Sequence, residues 1–397
     1  MAAVGIGMVG YAFMGAAHSQ AWRTVNRVYD LPVRARMVAL CGRDKTRAEA
    51  AADRLGWEGF HTDWRELIAR DDIDAIDICT PGDSHAEIAE AALAAGKHVL
   101  CEKPLANTVA EAESMVRAAA LAAASGVRAM CGYTYRRVPA VVLLRQFVAD
   151  GRLGTIRHVR AAYLQDWLVD PMAPLGWRLQ HELAGSGALG DIGSHIIDMS
   201  QYVTGEQITG VSALTETFVT SRPLPSADGG STLAGGSGAG SAMGAVTVDD
   251  AVVVLARLSG GALATYEATR FATGRKNALR IEVNGSLGSA AFDLERLNEL
   301  EYYDGTGPVP EQGFRRILVT EPQHPYLSAW WPPGHLIGYE HGFTHQARDF
   351  LDAIGSGTDP RPSFDDALGV QLVLDAVARS AAQGAQWTPV NPPEEDR

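Results

Sequence analysis

The first third of the chain alternates short apolar strands with helices, and this pattern limits the possible folds more than any other feature of the sequence. Helices of ~10–15 residues between successive strands are typical of βαβ units, which place parallel strands side by side. Helices then cover both faces of the sheet. The predicted strands cover residues 2–9, 36–41, 74–79, 97–101 and 127–131, with helices over 13–28, 45–55, 84–95 and 108–124. We therefore expect an α/β domain with a parallel sheet over residues 1–133.

A glycine-rich turn follows the first predicted strand, and two registers of the pattern Gly-x-Gly-x-x-Gly compete for it. Residues 5–10 fit the pattern literally, but only four residues precede them. Four are too few to cross a sheet at about 3.3 Å per residue. The second register, Gly10 to Gly15 with Ala12 at its middle position, has a full strand before it and a helix after it. A dinucleotide binds its pyrophosphate at such a helix start. We predict a Rossmann-type nucleotide site formed by Gly10, Ala12, Phe13, Met14 and Gly15, with a plain βα turn as the alternative.

The tip of the second strand of such a domain selects the cofactor. An acidic residue there bonds the ribose hydroxyl of NAD, whereas an arginine accommodates the extra phosphate of NADP. Gly42 and Arg43 favour NADP, because a small residue leaves room beside the ribose and a basic one attracts phosphate. NAD stays possible because Asp44 can reach a ribose hydroxyl, and a solvated residue at a helix start is the alternative interpretation of Arg43.

The pattern changes after residue 133. Consecutive strands without helices between them indicate an antiparallel sheet, and we place turns at 260–261 and 284–285. Residues 222–246 are rich in glycine and serine and predict a mobile loop. We expect residues 134–397 to form an α+β domain with an open, largely antiparallel sheet. Its predicted helices cover 139–150, 340–354 and 364–383, and its predicted strands cover 156–166, 208–218, 247–257, 261–269 and 277–284.

Charge and cysteine usage exclude several classes of protein. The formal net charge of −13 argues against a protein that neutralises nucleic-acid phosphates. The sequence shows neither a signal peptide nor an apolar run of ~18 residues, so we predict no membrane partner. No cysteine occurs in a Cys-x-x-Cys motif, and each closes a predicted strand. We therefore expect buried thiols, a cytoplasmic location and no metal site. The cysteines are Cys41, Cys79, Cys101 and Cys131.

Two places in the sequence carry side chains suited to moving a proton. Lys103 follows the strand over 97–101, at the sheet edge where α/β domains bind ligands, and can stabilise an alkoxide. Asp191 and His195 are four residues apart at a helix start, so they share one face. A carboxylate beside an imidazole makes it a better base for a hydroxyl proton. Taken singly, the lysine also fits an exposed surface, and the pair fits a helix cap and a packed histidine.

Together these segments resemble the glucose–fructose oxidoreductase/inositol dehydrogenase (Gfo/Idh/MocA) family over nearly the whole chain. The Glu102-Lys103-Pro104 motif and the later Gly190-Asp191-x-Gly-x-His195 motif are highly specific in that order. The resemblance implies that Lys103, Asp191 and His195 form the catalytic set. It also implies that Thr80, Pro81, His85 and Glu102 border the cofactor, and that the open sheet makes homodimers or homotetramers. Further matching segments are His18, 77–81, 95–99, 135–137 and Asp198.

The resemblance is strongest to the levoglucosan dehydrogenase group of that family, through residues 163–167 and 174–178. Flat rings and hydrogen-bonding groups in and near these segments suit a sugar ring. The predicted substrate residues are Tyr135, Gln165, Trp167, Trp177 and Arg178, besides the catalytic set; for the two tryptophans, a place in the core is the alternative. We therefore expect an NAD(P)-dependent dehydrogenase that oxidises a ring hydroxyl of a sugar, anhydrosugar, glycoside or cyclitol. A biosynthetic keto-sugar reductase and a non-catalytic nucleotide-binding regulator are the alternatives.

Overall fold

The computed structural model describes residues 2–225 and 239–390 of the 397-residue chain. The chain divides into two compact units. The first combines residues 1–134 with 338–368, and the second combines 135–337 with 369–397. Within the described residues, no helix is long and apolar enough to cross a membrane.

The first unit contains a six-stranded parallel sheet, which confirms the predicted Rossmann domain. The strands lie in the order β3-β2-β1-β4-β5-β6. They are β1 (Ala2–Val9), β2 (Val33–Cys41), β3 (Gly59–His61), β4 (Ala75–Ile78), β5 (His98–Cys101) and β6 (Ala129–Cys131). Its helices are α1 (Phe13–Val28), α2 (Lys45–Leu55), α3 (Trp64–Ile68), α4 (His85–Ala94), α5 (Val109–Ala123) and, from later in the chain, α9 (Tyr339–Ser356).

Local sequence signals explain where several of these helices begin. The Asp44 carboxylate accepts a hydrogen bond from the Arg47 N–H and caps α2. Thr108 and Glu111 form a capping box at the start of α5. β3 and α3 were not predicted, because elements of three and five residues are too short to show a periodic pattern of apolar residues.

The second unit contains a nine-stranded sheet in the order β16-β15-β14-β13-β7-β12-β11-β8-β17. Only the β7–β12 pairing among these strands is parallel, so the predicted largely antiparallel sheet is confirmed. A separate two-stranded ribbon is formed by β9 (Ser221–Pro225) and β10 (Ala239–Ala245). The sheet strands are β7 (Ile156–Leu164), β8 (Ile208–Glu216), β11 (Ala251–Leu258), β12 (Leu263–Thr269), β13 (Ala278–Gly285), β14 (Gly288–Asp293), β15 (Glu299–Asp304), β16 (Phe314–Leu318) and β17 (Thr388–Pro389).

Helices of the second unit pack on one face of this sheet and leave the other face open. Two of them, α6 and α8, pack against its strands. Leu214, Val253, Leu255 and Leu263 lie on the opposite face and are exposed. The helices are α6 (Pro139–Ala149), α7 (His181–Ala184), α8 (Ser194–Thr204) and α10 (Phe364–Ala382), which begins in the first unit.

Two predictions about loops in this unit need correction. The turn expected at Asn284 and Gly285 lies two residues later, because both residues still pair with β7. The segment 222–246, expected to be a loop, begins in the strand β9 and ends one residue after the strand β10. The Arg222 side chain in β9 is fully buried, and its guanidinium donates hydrogen bonds to the backbone carbonyl oxygens of Asp170 and Leu168. Residues 226–238 of the segment lie outside the described residues.

Candidate active site

The glycine turn after β1 has the shape that a dinucleotide requires. β1 runs to Val9, so Gly5 and Gly7 are strand residues and the register from Gly10 to Gly15 is the one formed. Gly10 has a φ of 99°, and a Cβ there would lie 2.7 Å from a carbonyl oxygen. A Cβ on Gly15 would lie 2.2 Å from the Gly10 carbonyl oxygen. Only glycine fits at either position.

The start of α1 leaves its backbone N–H groups available to an anion. Ala12 occupies the N-cap position and has no side-chain oxygen that could accept from them. The first turn, which includes Phe13 and Met14, contains no acidic residue. Phe13 is exposed, and its ring stacks against Tyr339 of the same unit with 6.4 Å between centroids. This combination fits a pyrophosphate at the helix N-terminus.

The loops that follow β4 and β5 are tied together by His85. Its two ring nitrogens lie 2.9 Å from the Thr80 carbonyl oxygen and 3.0 Å from the Pro104 carbonyl oxygen. His85 is buried, whereas Thr80, Pro81 and Lys103 are partly exposed at the carboxyl edge of the parallel sheet. The structure therefore brings these predicted residues together along the edge where α/β domains bind ligands.

A buried network of charged side chains lies directly beside this edge. His18 Nδ1 is 3.0 Å from both carboxylate oxygens of Asp77, and its Nε2 is 3.0 Å from Glu102 Oε1. Trp22 Nε1 donates to Asp77 over 2.7 Å. Burial lowers the pKa of His18, but Asp77 and Cys79 together raise it by more, and the pKa stands well above its ordinary value. His18 is therefore an imidazolium held between two carboxylates.

The same network contains the one group, among the described residues, whose ligand atoms are close enough together for a metal ion. His18, Asp77 and Cys79 have their ligand atoms within 4.8 Å of one another. Both His18 nitrogens already bond carboxylates, and the Cys79 thiol lies 3.5 Å from Asp77 Oδ1. Hydrogen bonding accounts for the grouping.

The tip of β2 differs from the expectation in one respect. Gly42 does not leave open space, because the Tyr11 ring fills it: a Cβ on Gly42 would lie 1.9 Å from Tyr11 Cε1. Arg43 is exposed. Asp44 is also exposed, but its carboxylate caps α2 by accepting from Arg47.

Asp191 and His195 stand out by their exposure. The helix that carries them starts with a π-helical turn, Leu189–Gly193, and continues as α8. Between residues 187 and 201, all side chains are buried except those of Asp191 and His195, which are partly exposed. π-turns are uncommon and are frequent at functional sites. The fold thus exposes these two side chains and no others of the segment.

Asp249 fixes the start of this π-turn. Its carboxylate accepts hydrogen bonds from the N–H groups of Gly187 and Leu189, over 2.7 and 2.8 Å. A Cβ on Gly187 would lie 1.7 Å from the Asp249 carbonyl oxygen, so the close approach requires glycine.

A chain of hydrogen bonds runs beside His195 and connects three of the predicted substrate residues. The Tyr135 and Tyr163 hydroxyls are 2.8 Å apart, and Tyr163 donates to Asn277 Oδ1 over 2.7 Å. Gln165 donates to the same oxygen over 2.8 Å and accepts from Trp167 Nε1 over 2.9 Å. The Tyr135 ring packs against the His195 imidazole with 4.7 Å between centroids.

Two arginines flank Asp191. Arg270 Nη1 and Arg178 Nε lie 3.6 and 3.9 Å from Asp191 Oδ2. Arg178 also stacks over the Trp177 ring at 4.3 Å, and Arg270 lies 5.7 Å from the Trp167 ring. The second unit therefore brings all its predicted site residues into one cluster. Trp167 is only half-buried but also packs on a small apolar core, so both interpretations of that residue hold in part.

Sequence reasoning missed Tyr163, Asn277 and Arg270 as members of this cluster. Arg270 is fully buried, and its Nη2 donates to the Asp249 carbonyl oxygen over 3.0 Å. No motif marks Asn277 and Arg270, because they approach the site through strand pairing; Tyr163 begins the segment 163–167 that carries the resemblance but was not assigned to the site. Tyr163 ends up beside Leu279 and Ala268 on neighbouring strands. Pairing of the strand at 156–164 with that at 278–285 is the signal that would have found Asn277.

Comparison with known proteins places the chain in a family. Residues 4–133 match a model described as "Oxidoreductase family, NAD-binding Rossmann fold", and residues 141–291 match "GFO/IDH/MocA C-terminal domain". Levoglucosan dehydrogenase of Pseudarthrobacter phenanthrenivorans is 41% identical over 392 residues, 97% of each protein. Inositol 2-dehydrogenase of Rhizobium meliloti is 27% identical over 96% of this chain and 98% of that enzyme.

Solved structures agree. An oxidoreductase domain protein from Kribbella flavida superposes with a TM-score of 0.93 at 60% identity, covering 99% of this chain and 100% of that one. Levoglucosan dehydrogenase in complex with NADH and levoglucosan superposes with a TM-score of 0.90 at 38% identity, covering 98% and 100%. This chain therefore belongs to the Gfo/Idh/MocA family of NAD-binding oxidoreductases, as the sequence motifs predicted.

Proposed function

We propose that this chain is an NAD-dependent dehydrogenase that oxidises a ring hydroxyl of a sugar or cyclitol, with levoglucosan-like anhydrosugars as the first candidates. The observation that carries the proposal is the selective exposure of Asp191 and His195 within an otherwise buried segment. Aromatic rings, an amide and two guanidiniums surround them, which suits a molecule with apolar ring faces and many hydroxyls. The identity to levoglucosan dehydrogenase favours anhydrosugars within this class.

His195 is the proposed acceptor of the hydroxyl proton. Its imidazole packs against Tyr135, which fixes the ring plane. Asp191, held by Arg270 and Arg178, is proposed to orient the hydroxyl and to stabilise the charge that His195 gains. Lys103, at the end of β5, is proposed to stabilise the developing alkoxide. NAD, when bound, supplies the acceptor for the hydride that leaves the same carbon.

The remaining cluster residues are proposed to bind the sugar. Tyr135, Trp167 and Trp177 offer flat faces for ring C–H groups, and Gln165 and Arg178 offer hydrogen bonds. Because Gln165 is already held by Asn277 and Trp167, its amide is oriented before a substrate arrives.

NAD is the proposed cofactor, bound by the glycine turn and by the loops that carry Thr80, Pro81, His85 and Glu102. NADP is the alternative that Arg43 favours. We assign nucleotide binding to the domain predicted over 1–133, and substrate binding and oligomerisation to that over 134–397. The four cysteines, as thiols, suit the cytoplasm, which is the proposed location.

The open face of the nine-stranded sheet is the proposed contact between subunits. Val253 and Leu255 on β11 are 53% and 57% exposed, and Leu214 on the neighbouring strand is 62% exposed. Val253 and Leu214 are directly paired, so these side chains form a continuous apolar patch. Such a patch favours association with a second copy, and a homodimer or homotetramer is proposed.

A substrate screen tests the function. The wild type is mixed with NAD or NADP and with levoglucosan, other anhydrosugars, pyranosides and inositols, and formation of the reduced nicotinamide is followed by its absorbance. We expect turnover with at least one of these classes. The Lys103→Ala variant should bind NADH normally but should not turn over. Absence of activity with every class contradicts the proposed substrate class, and full activity of Lys103→Ala contradicts the role of the lysine.

A further inference from the structure

Tyr11 is held at the tip of β2 by the backbone. The N–H of Gly10 donates to the Cys41 carbonyl over 3.0 Å, so the turn after β1 lies against the end of β2. Tyr11 follows in the turn, and its ring lies over Gly42. A Cβ on Gly42 would be 1.9 Å from Tyr11 Cε1, 2.6 Å from Cδ1 and 3.0 Å from Cζ. Real Cβ atoms do not approach other atoms so closely, so only glycine at position 42 leaves room for the Tyr11 ring.

The backbone at Gly42 gives no other reason for a glycine. Gly42 is not among the positive-φ glycines, whereas Gly10 and Gly56 are. An alanine at this position would therefore be acceptable to the backbone itself. Tyr11 and Gly42 therefore depend on each other: the small residue makes room for the large one.

The phenol is placed among charges but is itself neutral. Burial and the Asp44 carboxylate raise the pKa of Tyr11, and Arg47 and Arg43 oppose that shift only in part. Asp44 is occupied as the cap of α2: one oxygen accepts from the Arg47 N–H over 2.9 Å and the other lies 3.8 Å from Arg47 Nε. The acidic residue that would serve the ribose in other dinucleotide-binding domains is therefore engaged within its own helix.

We propose that Tyr11, seated on Gly42, selects NAD over NADP. The ring takes the space beside the second strand in which an adenosine 2′-phosphate would have to fit, and the neutral hydroxyl bonds the ribose in place of an acidic residue. The inference rests on the proposed use of a nicotinamide dinucleotide. It reverses the expectation drawn from Gly42, because the space that glycine leaves belongs to a side chain of the protein.

Binding titrations of NADH and NADPH test this without any turnover. Tyr11→Ala opens the space beside Arg43 and Arg47, so the affinity for NADPH relative to NADH should rise by about ten- to a hundredfold, the worth of a charge-assisted bond. Tyr11→Phe removes only the hydroxyl. It should weaken NADH binding by roughly two- to tenfold and leave NADPH excluded.

A double-mutant comparison tests whether Tyr11 and Gly42 depend on each other. Gly42→Ala should displace the ring and weaken NADH binding in the wild type, yet have little effect in the Tyr11→Ala background. Gly59→Ala is the matched control, because a Cβ there would meet its nearest atom at 3.9 Å. It should bind both nucleotides as the wild type does. Melting curves identify any variant that fails to fold. If Gly42→Ala fails to fold, the NADPH/NADH affinity ratio of Tyr11→Ala alone decides whether Tyr11 selects the cofactor.

The outcomes separate this inference from the proposed function. If the wild type binds neither nucleotide, the use of a nicotinamide cofactor is wrong. If it binds NADH and the NADPH/NADH ratio stays unchanged in Tyr11→Ala, only the role of Tyr11 is overturned. A preference of the wild type for NADPH overturns it as well.

Discussion

His195 is the side chain on which the proposed chemistry depends most. A positioned general base contributes about 10²–10⁴-fold to a rate. We therefore expect His195→Ala to lower kcat by that factor while NADH binding stays unchanged. The control is His335→Ala, which alters an exposed loop histidine. A loss below about tenfold over the whole working pH range would show that another group takes the proton.

His18 links the nucleotide-binding edge to the stability of its unit. Its pKa is raised well above the ordinary value of about 6.5, because Asp77 and Cys79 together outweigh the opposing effect of burial. A raised pKa stabilises the fold fully below the unfolded value and less as the pH rises through the folded value. The free energy of unfolding of wild type minus that of His18→Gln should therefore decrease from near-neutral pH upward. Denaturant titrations at several pH values measure this difference.

The matched control for that series is His335→Gln, whose histidine is exposed. Its difference from wild type should show little dependence on pH over the same range. A His18→Gln difference that stays constant or grows with pH would contradict the assigned imidazolium.

At the scale of elements, the ribbon of β9 and β10 is anchored by Arg222. This guanidinium is fully buried and donates to the carbonyl oxygens of Leu168, which is buried, and Asp170, which is exposed, over 2.7 and 2.6 Å. A buried acceptor left without its donor costs about 1–3 kcal/mol. Arg222→Ala leaves the Leu168 carbonyl in that state, so it should lower the free energy of unfolding by roughly 1–3 kcal/mol, measured by urea titration. Arg117→Ala, at an exposed site on α5, should change it by less than about 0.5 kcal/mol; equal effects of the two would contradict this anchoring.

The sequence predicted those elements whose boundaries are marked locally. α2 was placed correctly at 45–55, because Asp44 caps its start and Gly56, with a φ of 81°, ends it. The strands β14 to β16 were missed. The strands β15 and β16 carry charged residues such as Glu299 and Arg316, which mask the alternation of apolar side chains.

The candidate site was predictable to the extent that motifs carry it. Asp191, His195 and Lys103 stand in short motifs, and the structure gives each of them partial exposure. Asn277 and Arg270 were not predictable, because strand pairing brings them to the cluster from distant positions. Gly42 was misjudged for a related reason: a sequence shows that space is present but not that a ring thirty-one positions earlier fills it.

At the scale of the whole molecule, the open sheet face is the proposed subunit contact. Val253→Arg places a charge in the centre of the apolar patch and should shift the protein toward monomers, because a buried unpaired charge is costly. Leu121→Arg, at a 79% exposed site on α5, is the control and should leave the assembly intact. Sedimentation velocity measures both. A Val253→Arg protein with the wild-type sedimentation coefficient would contradict the assignment of this face.

The central claim is that this chain moves a hydride from a ring carbon of a sugar to NAD. The best substrate of the screen, carrying deuterium at every hydroxyl-bearing ring carbon, is incubated with the enzyme and NAD, and the NADH is analysed by mass spectrometry. We predict NADH that carries one deuterium in its nicotinamide ring, and about 10²–10⁴-fold less of this product from His195→Ala over the same time. NADH without deuterium, or no NADH from the wild type, would contradict the account.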